Sequence, residues 1–556
     1  MQKSSDLPVS RLTKRRNRFR GVGVAIFFIL LLGSKPATMG VPSIPGQTAN
    51  LGKVQFANSC LPVVQPDIDR GVAMLHSFQY GAAEKIFIRI TEADPGCAIA
   101  YWGAAMTLYH QLWDWPTPAT LEKGRRYLAK ARLLPEKSAR EAAYLNAAEV
   151  FYRPERQLEA ISRVQAYSDA MRRLHQSYPE DSDATAFYAL SLLTLPSSDD
   201  ESQDNQRKAI AILEKLFAAQ PEHPGAAHYL IHATDTAEFA PLGLAAARSY
   251  ARIAPASPHA LHMPSHIFAR LGMWQDSIAS NLASIAAAQR ATREHWDDGS
   301  GDELHAVTYL AYSYLQSGDD QAARRTVESI KDVSGATAND IVNNAAILGA
   351  LYAVETHDWK KAAELPADPS AFPYARVRTF WARAIGAART GNVMEARQEL
   401  EKLDRARAGM VSYMQNVDCQ MHTGHASNAG VSVQQLEARA WLAWAEGKPT
   451  EALATMRAAV AREDAYGVES RTVPAYEMLG DLLFEMHQSK AALAAYLAAL
   501  KEAPLRFNAL TGAARASQAA GDLPSARSYY STLINCCSPT SGRKEFEEAK
   551  MFLSGN

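Results

Sequence analysis

Cysteine is scarce in this 556-residue chain: five residues, Cys60, Cys97, Cys419, Cys536 and Cys537. They are too few and too scattered to build a disulfide-dense scaffold, and no pairing follows from their spacing. A surplus of charge is missing as well, since 58 Lys and Arg face 59 Asp and Glu. That near-cancellation removes the basic footprint of a protein that grips a phosphate backbone, so no nucleic-acid partner is expected. Long hydrophobic runs are also absent. The longest apolar stretch, Gly21 to Leu32, would make a helix of only about 18 Å against a hydrocarbon layer of ~30 Å. Phosphate-binding and dinucleotide glycine motifs, a G-x-S-x-G elbow and HExxH in either direction are missing too. Any catalysis would therefore be metal-assisted, with Asp235, Glu238, Asp302 and Glu303 as the nearest acid or base groups.

The charge that exists is unevenly placed. Residues 1–40 hold eight basic side chains, among them Arg11, Arg15, Arg16, Arg18 and Arg20, against Asp6 alone, which leaves the body mildly acidic. A basic run, then an apolar core, then the small-residue stretch Gly33 to Gly40 has the three-part order of an export signal. A periplasmic or secreted protein is expected. Lys35 and Pro36 spoil the usual cleavage spacing, so an uncleaved inner-membrane anchor facing the periplasm is the alternative, and the membrane would be met only through this segment.

What the sequence does have is periodicity. Tyr476, Leu479, Gly480 and Leu483 mark one helix face; Ala492, Tyr496 and Ala499 mark a second, and Pro504 closes the unit. Thirty-four residues further on come Leu510, Ala513, Ala514, then Ala526, Tyr530, Leu533. Near the other end, Gly71, Ala83, Phe87, Ile90 and Pro95 follow the same plan, with Tyr101 at the next repeat. Further helix pairs are predicted at 184–218, 226–253, 259–289, 303–330, 340–365, 375–404 and 432–462, with turns at Gly272, Gly318, Gly391 and Gly447. A 34-residue period carrying two amphipathic helices resembles the tetratricopeptide repeat (TPR) family. The resemblance implies an all-α, right-handed superhelical solenoid of antiparallel helix pairs whose concave face holds protein or peptide ligands. The expected organisation is an export signal or anchor at 1–40, a linker at 41–64, the array at 65–535 and a tail at 536–556. Polar residues 406–430 are read as a long connection.

Histidine is the other abundance. Six of fifteen (His223, His228, His232, His259, His262, His266) fall within 44 residues. His228 and His232 are one helical turn apart, His262 and His266 likewise, and the two pairs lie 34 residues apart, at equivalent places in successive repeats. The expectation is that these four converge on an ion such as zinc or copper, with Asp235 as a further ligand or as acceptor for a ring N–H. His76, His110, His259 and His305, with Tyr229, Trp274, Tyr309 and Tyr312, are expected to line the surrounding groove at about 223–312. Pro264, between His262 and His266, should kink or begin the helix there. The segments HYLIH and HMPSHIFARLGMW resemble those of a group of bacterial exported TPR proteins, a likeness that transfers no activity. Histidines in a peptide-contacting groove, or plain structural hydrogen bonding, are the competing readings. Cys419, His422 and His425 form a weaker second metal candidate in the 406–430 connection. Two functions stay open: a scaffold that binds a peptide, protein or small ligand, and a metal-dependent hydrolase or oxidase built in the groove.

Overall fold

The computed structural model describes residues 50–556 apart from 113–114, 135–136, 154–159, 196–202, 296–297, 417–421, 466, 468–470, 539–540 and 556; the side chains of 160, 412–416 and 422–430 are not described. The leader lies outside this range. The described residues are helices in antiparallel pairs, with no strand among them, and no helix among them is long and apolar enough to cross a membrane. Every predicted pair is present, from Ser182–Leu193 with Asp204–Ala219 through Pro449–Asp464.

At both ends of the array a large ring fills the space that glycines leave between neighbouring helices. The Tyr496 ring lies where a Cβ on Gly480 or Gly512 would sit, 2.6 and 2.3 Å from its nearest atoms. Phe87 is wedged in the same way between Gly71 and Gly103. A ring of one second helix is thus clamped between successive first helices 32 residues apart, at both ends of the array. Short polar caps start several helices, as in the Ser138–Glu141 and Thr337–Asp340 capping boxes.

Two returns close the array on itself. At the N-terminal end, residues 50–64, expected to be a linker, are packed in place: Leu51 and Phe56 are buried, Phe56 stacks on Trp102, and the Lys53 N–H bonds the Glu222 carbonyl at 2.9 Å. A Cys60–Cys97 disulfide pins this lead-in to the second helix pair. At the C-terminal end, the wholly buried Arg506 bridges Glu355 (2.8 Å) and Glu477 (2.8 Å) and donates to the Tyr312 hydroxyl (2.9 Å). Gly272 and Gly318 both have left-handed backbone, and a Cβ on either would strike Pro504 or Phe507, so these turns double as docking points for the returning repeat. The 536–556 stretch read as a tail includes a helix, Lys544–Ser554, and Arg543 just before it pairs with Asp320 at 2.7 Å. The expected long connection at 406–430 is instead mostly helical: Val393–Asn416 and His422–Ala445 run into it from both sides.

Candidate metal centre

Three successive first helices carry the histidines. Pro224 starts the helix Pro224–Ala233, capped by the His223 ring, and presents His228 and His232 one turn apart. In the next repeat Pro264 divides the helix, as expected, into Pro258–His262 and Pro264–Arg270. Met263 at the junction keeps helical angles, φ −52° and ψ −36°, so His259, His262 and His266 remain on one stripe. His305 comes from the first turns of Ser300–Gln316.

These side chains form two groups rather than one. In the first, His228 Nε2 lies 3.1 Å from His232 Nε2 and 3.0 Å from His259 Nε2. In the second, His262 Nε2 lies 3.0 Å from His266 Nε2, and His305 completes the set, its ring 4.4 Å from that of His262. Within each triad one ligand nitrogen per residue lies within 4.8 Å of the others. The four histidines expected at one ion are thus divided, each pair joined by a histidine expected in the groove wall. The triads are neighbours: His232 and His266 ring centroids are 6.1 Å apart, His259 and His262 6.2 Å.

Acceptors behind the rings fix which nitrogen faces inward. His228 Nδ1–H donates to the His76 carbonyl at 2.6 Å, one of the carbonyls that the end of helix Gln65–His76 leaves without a helical partner. His262 Nδ1–H donates to Asn281 Oδ1 at 2.7 Å, and Asn281 is oriented by its own N–H bond to Ser277 O. His266 Nδ1–H donates to Asp235 Oδ2 at 2.7 Å, and Asp235 is held in turn by Arg270 at 3.0 Å. Asp235 thus stands behind His266, as the acceptor that orients a ligand imidazole. His262 and His266 therefore face each other through Nε2 atoms 3.0 Å apart, a spacing that a shared proton or a bridging cation satisfies. Nitrogens 3.0–3.1 Å apart, each ~2.05 Å from a shared ion, subtend about 95° there, which suits imidazole ligation.

Burial favours the neutral form of five of the rings. It pushes His228, His259, His262 and His305 well below the ordinary imidazole value and His232 down to about 3, with neighbouring imidazoles adding to the effect. Neutral rings are the ligating form. His228, His259, His262 and His266 are at most 8% exposed, whereas His232 and His305 are half-buried, so each triad has one member toward solvent. A zinc ion held by three imidazoles would keep a fourth position for water or a ligand, the pattern of catalytic rather than structural sites.

The remaining candidates serve other ends. His76 and His223 both direct Nε2 to Asp183, at 2.9 and 3.3 Å, and form a third close group of ligand-type side chains, but here both rings share one carboxylate and Tyr229 bonds His76 Nδ1 at 3.0 Å, so the group is held by its own hydrogen bonds. His110 stacks on Tyr80 and bonds the Thr107 carbonyl, separated from the first triad by the rings of Tyr80 and Phe78. Tyr309 packs over the second triad, its hydroxyl 3.0 Å from His266 Nδ1. Trp274 and Tyr312 belong to the C-terminal return, Trp274 through its bond to the Leu505 carbonyl. Cys419 and the side chains of His422 and His425 lie outside the described residues. Asn281 is not among the residues that the sequence pattern singles out, and nothing around it marks it as a partner of His262.

The architecture defines a helical-repeat solenoid. A tetratricopeptide-repeat family model matches residues 477–539, the unit in which Tyr496 and its flanking glycines show the packing most clearly. No curated protein matches the sequence. Among solved structures, a tetratricopeptide repeat protein from Parabacteroides merdae is 15% identical, covering 53% of this chain and 97% of its own, with a TM-score of 0.27. A human IFIT1 dimer with m7Gppp-AAAA is 11% identical over 83% of this chain and 94% of that one, with a TM-score of 0.37. Yeast Tom70 is 10% identical over 71% and 93%, with a TM-score of 0.30.

Proposed function

We propose that this chain is an exported metalloprotein in which a TPR array, closed on itself, holds two adjacent three-histidine sites for zinc or copper, and that these sites act on a small ligand. The close approach of His262 Nε2 to His266 Nε2, with both rings anchored through Nδ1, carries the reading. Burial of the rings favours a small ligand over a peptide laid along an open groove, and the position left at each ion favours metal-dependent chemistry on that ligand. The ion would supply a Lewis acid and an activated water; the protein holds the imidazoles, fixes their tautomers and excludes bulk solvent. Export is supported by the order of the leader and by the Cys60–Cys97 disulfide, which an oxidising compartment sustains. The acidic body favours no nucleic-acid ligand.

The test is direct. Protein stripped with chelator, then dialysed against zinc or copper(II), should retain two ions per chain, and X-ray absorption should report imidazole nitrogen as the dominant ligand. Retention of less than one ion per chain, or a shell without imidazole, refutes the reading.

A further inference from the structure

Each histidine triad is roofed by one aromatic ring. Phe78 packs against all three imidazoles of the first set, its ring centroid 4.4 Å from that of His228, 5.5 Å from His232 and 5.6 Å from His259. Tyr309 does the same for the second set, at 4.9 Å from His262, 4.5 Å from His266 and 5.6 Å from His305. We propose that the two triads form one dinuclear copper centre whose substrate is dioxygen, bound between the two ions. The proposal names the ion and the ligand of the site described above and rests on that reading.

Position comes first. Between the two caps the sets meet ring against ring, His232 with His266 at 6.1 Å and His259 with His262 at 6.2 Å. The His76 carbonyl, Asn281 and Asp235 hold His228, His262 and His266 from behind through Nδ1. With an acceptor behind the rings and an aromatic cap over them, the fourth position of each triad falls on the side turned to the other set. Two-metal sites hold their ions about 3.5–4 Å apart, close enough for one small ligand to touch both. Burial limits the size of that ligand, since His228, His259, His262 and His266 are at most 8% exposed.

Donor chemistry then selects the ion. Each set is three imidazoles, without a carboxylate or thiolate among them. Imidazole suits zinc and copper alike, but neutral donors bring no negative charge to offset the ion. Uncompensated charge is costly to bury, so such a site tolerates a univalent ion better than a divalent one. Copper(I) is univalent, whereas zinc is divalent and has no redox chemistry. Two copper(I) ions hold between them the two electrons that take dioxygen to peroxide. Each copper gives one electron and becomes copper(II), one Cu–O bond forms at each ion, and the O–O bond order falls from two to one. No proton and no outside reductant enters, and the reverse step releases dioxygen.

The experiment uses full-length protein. After loading with copper(II), the bound metal is counted and the electron paramagnetic resonance signal integrated. Two ions per chain should give a signal that has lost most of its intensity, because the unpaired electrons of bridged copper(II) ions cancel. Acid unfolding should restore the full signal, which shows that the copper was divalent. Loaded instead with copper(I) under argon, the protein should take up one dioxygen per two ions, with an intense near-ultraviolet band that fades when the gas is purged. His305→Ala should keep one copper with undiminished signal and take up no dioxygen; the signal of the unmodified protein decides alone where that variant does not fold. Two copper ions at full intensity would be separate sites, which overturns the proposal and leaves the metal centre standing, as does a coupled pair that takes up no dioxygen. Retention of less than one ion per chain refutes the metal centre and the pair with it.

Discussion

Replacing His259 or His305 by alanine separates two shared sites from one. Neither residue belongs to the two pairs spaced 34 apart, so a single four-histidine ion would hardly notice either change. In the structure each completes a different triad. An ion present at a thousand times its Kd adds about 4.1 kcal/mol of stability, so two independent filled sites add roughly 8. Each single variant should bind one ion firmly and keep roughly half of that increment. Without metal the cost should be small, about 1–2 kcal/mol: His259 is only 2% exposed and leaves a cavity, but its removal also relieves the crowding of nitrogens around His228 Nε2. The informative quantity is therefore the melting shift between chelator and zinc, read by calorimetry with the bound metal counted, and His110→Ala is the control because His110 stacks on Tyr80 outside both triads. Two ions and an unchanged metal-dependent shift in both variants would refute the triad assignment.

Three further outcomes follow from the same geometry. Asp235→Asn, combined with Arg270→Gln so that no buried charge is orphaned, should weaken the second site by about 10- to 100-fold while sparing the first, measured by competition with a chromophoric chelator; equal weakening of both sites would refute the role given to Asp235. Opening the Cys60–Cys97 bridge, by Cys60→Ser with Cys97→Ser or by dithiothreitol, releases a loop of 37 residues worth about 4 kcal/mol of chain entropy and should lower the melting temperature by several degrees; identical melts would show that the bridge does not hold the lead-in. Glu437 titrates at about 8 in the folded chain against 4.5 for an ordinary glutamate, so the fold binds its proton more tightly than the unfolded chain does, and stability from this group is present at low pH and lost as pH rises between those values. Glu437→Gln should flatten that decline by up to a few kcal/mol in denaturant titrations at pH 5 and pH 8, and a variant with an undiminished slope would contradict it.

Much of the scaffold is legible because its rule is local. The glycine that admits a ring, and the ring that fills it, recur at a fixed distance, so the spacing of Gly480 and Tyr496 announces the unit from the sequence alone. The polar 406–430 stretch misleads because polarity marks the solvent side of a helix as readily as a loop. The returns are invisible for a different reason: Arg506 meets Glu355 across 151 residues and Gly272 meets Pro504 across more, and no periodic pattern encodes which repeat will touch which.

The histidine cluster shows the limit of register most clearly. A 34-residue spacing identifies equivalent positions, but not which side chains meet: the equivalent rings of His232 and His266 stand with centroids 6.1 Å apart, whereas His259 brings its Nε2 to 3.0 Å from that of His228. Side chains that meet across neighbouring first helices must be offset along the axis. His259 lies one turn before His262 and therefore falls opposite His228; His305, near the start of the next first helix, falls opposite His262 in the same sense. Each triad is a pair one turn apart on one helix plus a single residue from earlier in the next, and the construction occurs twice because the repeat does. A solenoid whose turns close on its own interior can thus place two ligand sets side by side with no loop involved. His232 and His305 are the partly exposed member of each set, and Arg471 stands in electrostatic reach of both His262 and His305.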